Sequence, residues 1–324
     1  MGMWSFNMSA LIMKFKKIID KRKALREEAR YQLSHDVLYR RSKWTKVLFV
    51  IMFVVFVLFT ISFLFPFAWV LMNSFKPHSQ FATDFMGLPD QWTFQNYIDA
   101  FTYSSNATHN FTIFQMLGMS FVIAGGGTIV TVFTSSCAAY VVAKYHFPGR
   151  NLIFSIAVFA LIIPIVGALP SQIQLMRSLN LTDTVIGCIF LYSGGFGMNF
   201  LLLYSYFKNL SWTYVEAARI DGASDFRIFF KIIIPMARGP IIAISIIQLI
   251  GLWNDYLTPS IYLPKMPTIA VGLKYLTDSL ISGANQRFTM LFATIIFVMI
   301  PIIVLFTAFS KTIMENTSVG GLKG

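Results

Sequence analysis

Residues 47–72 contain no charged side chain, and five further apolar stretches follow at about 116–143, 152–169, 185–207, 238–258 and 288–310. Each is near or above the roughly 20 residues that carry a helix through the hydrocarbon core of a bilayer. Inside lipid the backbone N–H and C=O groups must be paired within the protein, which a helix achieves along its own length. The sequence therefore predicts an all-α integral membrane protein with six spans. Composition agrees: 56% of residues are hydrophobic and 12% charged, against about 25% charged in soluble domains.

The charges that remain set the orientation. Lys and Arg number 21 in the N-terminal arm, the 144–151 and 208–239 segments and the C-terminal tail, against five in the alternating segments. By the positive-inside rule both termini and the 208–239 segment are expected in the cytoplasm. The net charge of +12 does not point to nucleic acid, because it is concentrated in residues 1–46 beside the first span. No zinc-finger spacing or aromatic–basic stripe accompanies it. Residues 1–46 read as a basic, cytoplasmic, surface-lying helical arm, and residues 47–324 as a single six-span domain. No cleavable signal peptide is evident, so the first span is expected to stay as an anchor.

Catalytic chemistry is not visible. The four histidines, His35, His78, His109 and His146, stand apart from any serine or cysteine at an interpretable spacing. No metal site is expected, and no phosphate-cradling G-x-x-x-x-G-K-[ST] loop is present. Cys137 and Cys188 lie in apolar runs and read as buried, reduced residues. Acidic and basic groups are absent from the middle of every span, where ion-coupled carriers usually place them.

What the spans do hold is uncharged polarity. Gln248, Asn254 and Asn199, with Thr131, Ser135 and Ser136, either join helices or face a watery path. Amides and hydroxyls beside aromatic rings suit a neutral polyhydroxylated solute. Three consecutive glycines at 125–127 allow either close helix packing or a flexing point. Pro164, Pro170, Pro301 and the glycines at 194, 195 and 197 admit the same two readings. The first external segment, about 73–115, is long enough to pack as a cap or to touch an external partner.

The most distinctive stretch is the charged island at 213–235, TYVEAARIDGASDFRIFFKIIIP. Thr213 and Glu216 have capping-box spacing, predicting a helix that starts near Tyr214. Gly222 is placed to stop it, since glycine takes the left-handed conformation without steric cost. Ser224 or Asp225 then caps a second helix through Phe226, Ile228, Phe229 and Ile232, ending where Pro235 forces a break. Arg219, Asp221, Arg227 and Lys231 are expected on the outside.

Glu216, Ala217 and Ala218, then Gly222, Ile232, Ile234 and Pro235, resemble the EAA motif of ATP-binding-cassette (ABC) importer permeases, with Ile234 where leucine is usual. Other stretches resemble the carbohydrate-uptake branch of that family, in particular the shorter maltose-transporter-type permease. They are Asn73-Ser-Phe-Lys-Pro with Gln95, Asn96 and Tyr97; Ala139 and Tyr140 before Phe147-Pro-Gly-Arg150; Leu181-Thr-Asp-Thr; Trp253, Asn254 and Asp255; and the tail Val319-Gly-Gly-Leu-Lys-Gly324, which is similar to the Gly-Lys-Gly terminus of that branch.

The resemblance implies a type I ABC importer permease fold in a multi-pass subunit of the bacterial inner membrane. It implies a second related permease, an ABC ATPase dimer that carries ATP and Mg, and an extracytoplasmic sugar-binding protein. No cofactor is expected on this chain. Glu216, Ala217, Ala218, Asp221, Gly222 and Pro235 would couple to the ATPase, and Gln248, Asn254 and Asn199 would line the pathway. The alternatives are a permease for a polyamine, phosphonate or metal complex, an ion-coupled carrier, a membrane scaffold or an intramembrane enzyme.

Overall fold

The computed structural model describes residues 23–25, 27–28, 31, 43–102, 110–162, 167–282 and 287–317. Most of the N-terminal arm, His35, His109, Pro164 and the 319–324 tail lie outside the described residues. Among the described residues all regular structure is helical. The chain divides into two compact units, Met1–Ala68 and Trp69–Gly324.

Helix α1, Lys43–Ser74, runs across that division and continues through Pro66. Its 47–65 stretch is apolar and exposed, a surface suited to lipid or another protein rather than to water. In the second unit the chain forms α2 (His78–Thr83), α3 (Gln95–Thr102), α4 (Ile113–Lys144), α5 (Arg150–Ile162), α6 (Ala168–Ser178), α7 (Val185–Leu191) and α8 (Met198–Asn209). Helix α9 (Thr213–Ile220) precedes α10 (Asp225–Ile228), which passes through a π-helical turn, Phe229–Ile233, into α11 (Ile234–Met236). Then come α12 (Arg238–Asn254), α13 (Leu257–Tyr262), α14 (Ile269–Ile281) and α15 (Phe288–Thr317). Helix α4 is the hub, packing on α8, α12, α7 and α14, with α15 behind α12.

Among the described residues three helices are long and apolar enough to cross a bilayer: Lys43–Ser74, Ile113–Lys144 and Phe288–Thr312. Asp225–Met236 and Arg238–Asn254 meet the same measure only as a pair, bent by 78°. The run expected to span at 185–207 is not one helix. It is α7 and α8, separated by a non-helical 192–197 segment. Three glycines in four residues, 194, 195 and 197, explain the interruption, because each costs about 1 kcal/mol in a helix. Irregular backbone at membrane depth must be buried in protein or line a watery space. Thr131 meets part of that need: its hydroxyl lies 2.7 Å from both the Tyr192 and the Gly127 carbonyls, which share its single proton.

The 125–127 glycines serve packing at two of their three positions. Helix α4 is unbroken there. A methyl group on Gly126 would sit 2.6 Å from Ile189, and one on Gly127 2.7 Å from Leu252. Either methyl group would force these side chains, and at Gly127 the Tyr192 ring as well, to shift, so the missing side chains let α7 and α12 pack closely on α4. Helix α15 likewise continues through Pro301.

Candidate functional site

The 213–235 island folds as two helical pieces around a glycine, with two departures from the sequence expectation. Helix α9 begins one residue early, with Trp212 rather than Thr213 at the N-cap. The Trp212 carbonyl accepts from the Val215 and Glu216 amides, and Ser211 Oγ donates to Thr213 Oγ1 at 2.9 Å. The expected capping box therefore does not form, and the Glu216 side chain is exposed with no bond to the described residues. Gly222 stops the helix as expected, at φ +76°. Its amide bonds Arg219 O, and the Ala223 amide bonds Ala218 O at 2.9 Å, the paired closure of a Schellman motif.

Ser224, not Asp225, caps the second piece, its hydroxyl accepting from Arg227 N. Pro235 does not end that piece. The bend comes two residues later, at Ala237 (φ −88°, ψ 8°). A proline lacks an N–H and crowds the carbonyl four residues earlier. The π-helical turn immediately before it, where the Ile234 amide reaches back to Phe229 O, absorbs that mismatch without a break. Phe226 lies in the second helix as expected, with its side chain 79% exposed.

The inner face of the island is anchored firmly. Val215, Ala218, Ile228, Phe229 and Ile233 are buried in one cluster with Val132, Ala139, Tyr140, Phe200, Leu203 and Phe207 of α4 and α8. Lys144 at the end of α4 donates to Leu210 O just ahead of α9. Tyr206 donates to Met236 O at 2.8 Å. Arg219 bonds Asp225 at 2.9 Å across the glycine turn and lies over the rings of Trp212 and Tyr145. The guanidinium holds the Asp225 carboxyl below the usual carboxylate range. This pair is too exposed to contribute much stability, but it ties the two pieces into one shape.

The outer face is left unused. Glu216, Ala217, Asp221 and Gly222 are exposed. Beside them are Ile220, 87% exposed, and Phe226. Two large apolar side chains on a charged crest, over a rigid base, are the pattern of a protein-docking surface. Sequence reading did not single out Ile220, because a lone isoleucine in a charged segment carries no periodic signal. An apolar groove of about 500 Å³, lined by Tyr140, Tyr145, Phe147, Asp225, Phe226 and Phe229, adjoins this crest.

The expected pathway residues separate into two places. Asn199 Nδ2 donates to Gln248 Oε1 at 2.8 Å, joining α8 to α12. Asn254 lies six residues beyond Gln248, about 240° around the helix, and does not share its face. It is exposed, with its amide donating to Ile250 O. Ser136 bonds Val132 O within α4 and Ser135 is buried, so both belong to helix packing.

Residues 132–314, more than half of the chain, match the family model described as binding-protein-dependent transport system inner membrane component. The chain belongs to that family. This permease is 30% identical over 271 residues to the diacetylchitobiose uptake system permease protein of Streptomyces coelicolor, covering 82% of this chain and 85% of that one. It is also 30% identical over 276 residues to the arabinooligosaccharides transport system permease protein of Bacillus subtilis, covering 83% and 94%. Its fold resembles a chain in the crystal structure of a bacterial ABC transporter involved in the import of the acidic polysaccharide alginate. That match has a TM-score of 0.68 at 24% identity and covers 84% of this chain and 98% of that one.

In this permease the segment after α1 is a packed cap. Lys76 has no exposed surface, and its ammonium donates to Asp84 O at 2.8 Å and Gly87 O at 2.7 Å. Asp84 Oδ1 accepts the amides of Gly87 and Met86. Asn96 donates to Ser74 O and Lys76 O, both at 2.8 Å, and accepts from Thr289. Phe75 packs on Trp92, Phe94 and Tyr97. The separated motifs at 73–77 and 95–97 are thus two halves of one clasp.

Proposed function

We infer that this chain is one transmembrane half of an ATP-driven importer for a sugar or oligosaccharide. The observation that carries the coupling part of this reading is the 213–226 crest. It is rigid below, unpartnered above, and offers an acidic group, a small-residue step and two exposed apolar side chains to another protein. A separate ABC ATPase is the partner of matching role, with ATP and Mg bound on that subunit. Closing of the ATPase dimer would push the crest, and the buried cluster beneath it would carry that movement into α4, α8 and α12.

The topology in this reading is six spans with both termini in the cytoplasm. The third crossing, over about 152–169, begins in α5, and the fourth uses the shorter, interrupted α7–α8 pair. The Lys and Arg distribution supports this orientation. Location in a bacterial inner membrane, a second related permease and an extracytoplasmic binding protein complete the assembly.

Two lines support a carbohydrate solute. Relatives are named for the uptake of diacetylchitobiose and arabinooligosaccharides, and the polar groups inside the predicted spans are uncharged amides and hydroxyls. Gln248, Asn199 and Asn254 are the pathway residues in this proposal.

The test is reconstitution of the importer in proteoliposomes with wild-type, Glu216→Ala and Gly222→Leu chains. Gly222 has open space around the position of a side chain. Leucine there is opposed chiefly by the positive φ, at about 1–2 kcal/mol, so the chain should still insert. ATP-driven uptake should fall at least tenfold in both variants, and the ATPase should co-purify in reduced amount. Wild-type uptake and assembly in Gly222→Leu would refute the coupling role.

A further inference from the structure

A groove of about 340 Å³ opens where α12 ends, between that end, α14 and α15. Asn254, Tyr256, Lys274, Thr277, Asp278 and Val298 line it. Asn254 and Tyr256 are exposed. Lys274 Nζ meets Asp278 Oδ2 at 2.6 Å, with the two side chains 40% and 54% exposed. Only one amide hydrogen of Asn254 is tied back to its own helix, at Ile250 O, and its Oδ1 accepts from no described group.

These groups constrain what can cover the groove. An ion pair and a free amide facing acyl chains would be strongly unfavourable, so the hydrocarbon of the bilayer does not cover the groove. An exposed pair one helical turn apart adds only a few tenths of a kcal/mol to the helix, so stability does not explain it. The pair retains ammonium hydrogens and a carboxylate oxygen for other partners. An aromatic ring, an amide and a charged donor–acceptor pair around an apolar floor at Val298 are complementary to a sugar. Ring C–H faces can lie on Tyr256 while hydroxyls reach Asn254, Lys274 and Asp278. The volume lies at the small end of the range for small-molecule pockets, enough for one or two sugar rings.

We propose that this groove is an outer carbohydrate subsite of the importer, holding one end of a neutral oligosaccharide between Tyr256 and the Lys274–Asp278 pair before it enters the membrane. The inference rests on the permease reading above, which puts the α12 end and the 257–281 segment on the external side. It is distinct from the Asn199–Gln248 pair, which lies deeper along α12.

The test uses the complete importer carrying Asn254→Cys, with maltotriose, cellobiose and arabinotriose as probe sugars and a membrane-impermeant thiol reagent applied from outside. The native Cys188 is fully buried and Cys137 is in the cytoplasmic half of α4, so the unsubstituted complex supplies the background. Labelling of Asn254→Cys should be ready without sugar and slow at least fivefold with a sugar that the unsubstituted importer takes up. In the near-isosteric K274Q/D278N variant the concentration for half-maximal uptake should rise at least tenfold. Labelling that ignores a transported sugar overturns the subsite. So does an absence of labelling, which would mean that the second permease covers the groove. If the unsubstituted complex moves none of the sugars with ATP, the carbohydrate reading itself falls, and the subsite with it.

Discussion

The clasp after α1 and the crest between α8 and α12 are both polar excursions of an apolar chain, yet they treat their polar groups in opposite ways. In the clasp, Lys76 and Asn96 are buried, with the ammonium and the amide spent on backbone carbonyls of the same segment. In the crest, Glu216 and Asp221 are exposed and Ile220 and Phe226 face outward. A buried polar group that loses its partner has a large desolvation cost, whereas an exposed one is nearly free to change. The clasp is therefore a structural device and the crest a surface held ready for another molecule.

The comparison breaks most clearly at Asn96. Asn96→Ala strands the carbonyls of Ser74 and Lys76 and the hydroxyl of Thr289 in a buried site, at about 3 kcal/mol or more. Thermal unfolding of the purified permease in detergent should shift down by several degrees, and the yield of assembled complex should drop. An unchanged unfolding curve would show that the clasp is not the scaffold described.

The crest should respond in the opposite sense. Ile220→Ser together with Phe226→Ser leaves the buried cluster untouched, so the unfolding curve should stay within about 0.5 kcal/mol of wild type. Binding of the ATPase should weaken by roughly tenfold or more, as expected when exposed apolar anchors are removed from an interface. A titration of the ATPase against permease in nanodiscs measures this, and equal affinities would place the docking surface elsewhere.

The smallest effect is at Asp84. The Gly87 amide, helped by the Met86 amide and the Lys76 charge, holds its carboxyl below the ordinary value against the opposing effect of burial. A carboxyl lowered on folding contributes stability that is complete above its unfolded value of about 3.9 and is lost as pH falls through the lower folded value. Acid sensitivity below about pH 4 should be slightly blunted in Asp84→Asn, with no difference from wild type at pH 7 beyond the constant cost of the substitution. Unfolding midpoints measured from pH 3 to 7 check it. A difference appearing near pH 6 would point to another group.

How legible each feature was follows from the range of the interaction behind it. Gly222 was readable because a positive φ is a property of one residue. The helix-forming character of the long apolar runs was readable because lipid leaves the backbone few choices. The N-cap at Trp212 was not, because a ring stacked under Arg219 and a Ser211–Thr213 bond displaced a capping box that the local pattern favoured. Nor was the survival of helix past Pro235, which depends on a π-helical turn two to six residues earlier.

The sequence by itself determined a helical, apolar chain, the sign of each connecting segment and the position of the charged 213–235 island, since hydropathy, charge and short motifs are written residue by residue. Tertiary structure alone decided which polar groups are spent and which are offered. It paired Asn199 with Gln248, turned Thr131 toward a broken helix, buried Lys76 in its own loop and left Glu216, Ile220 and Phe226 outside. The physical reason is that a side chain's partners are fixed by which helices pack together. That packing depends on contacts between residues far apart in the chain, such as the approach of α7 and α12 to Gly126 and Gly127.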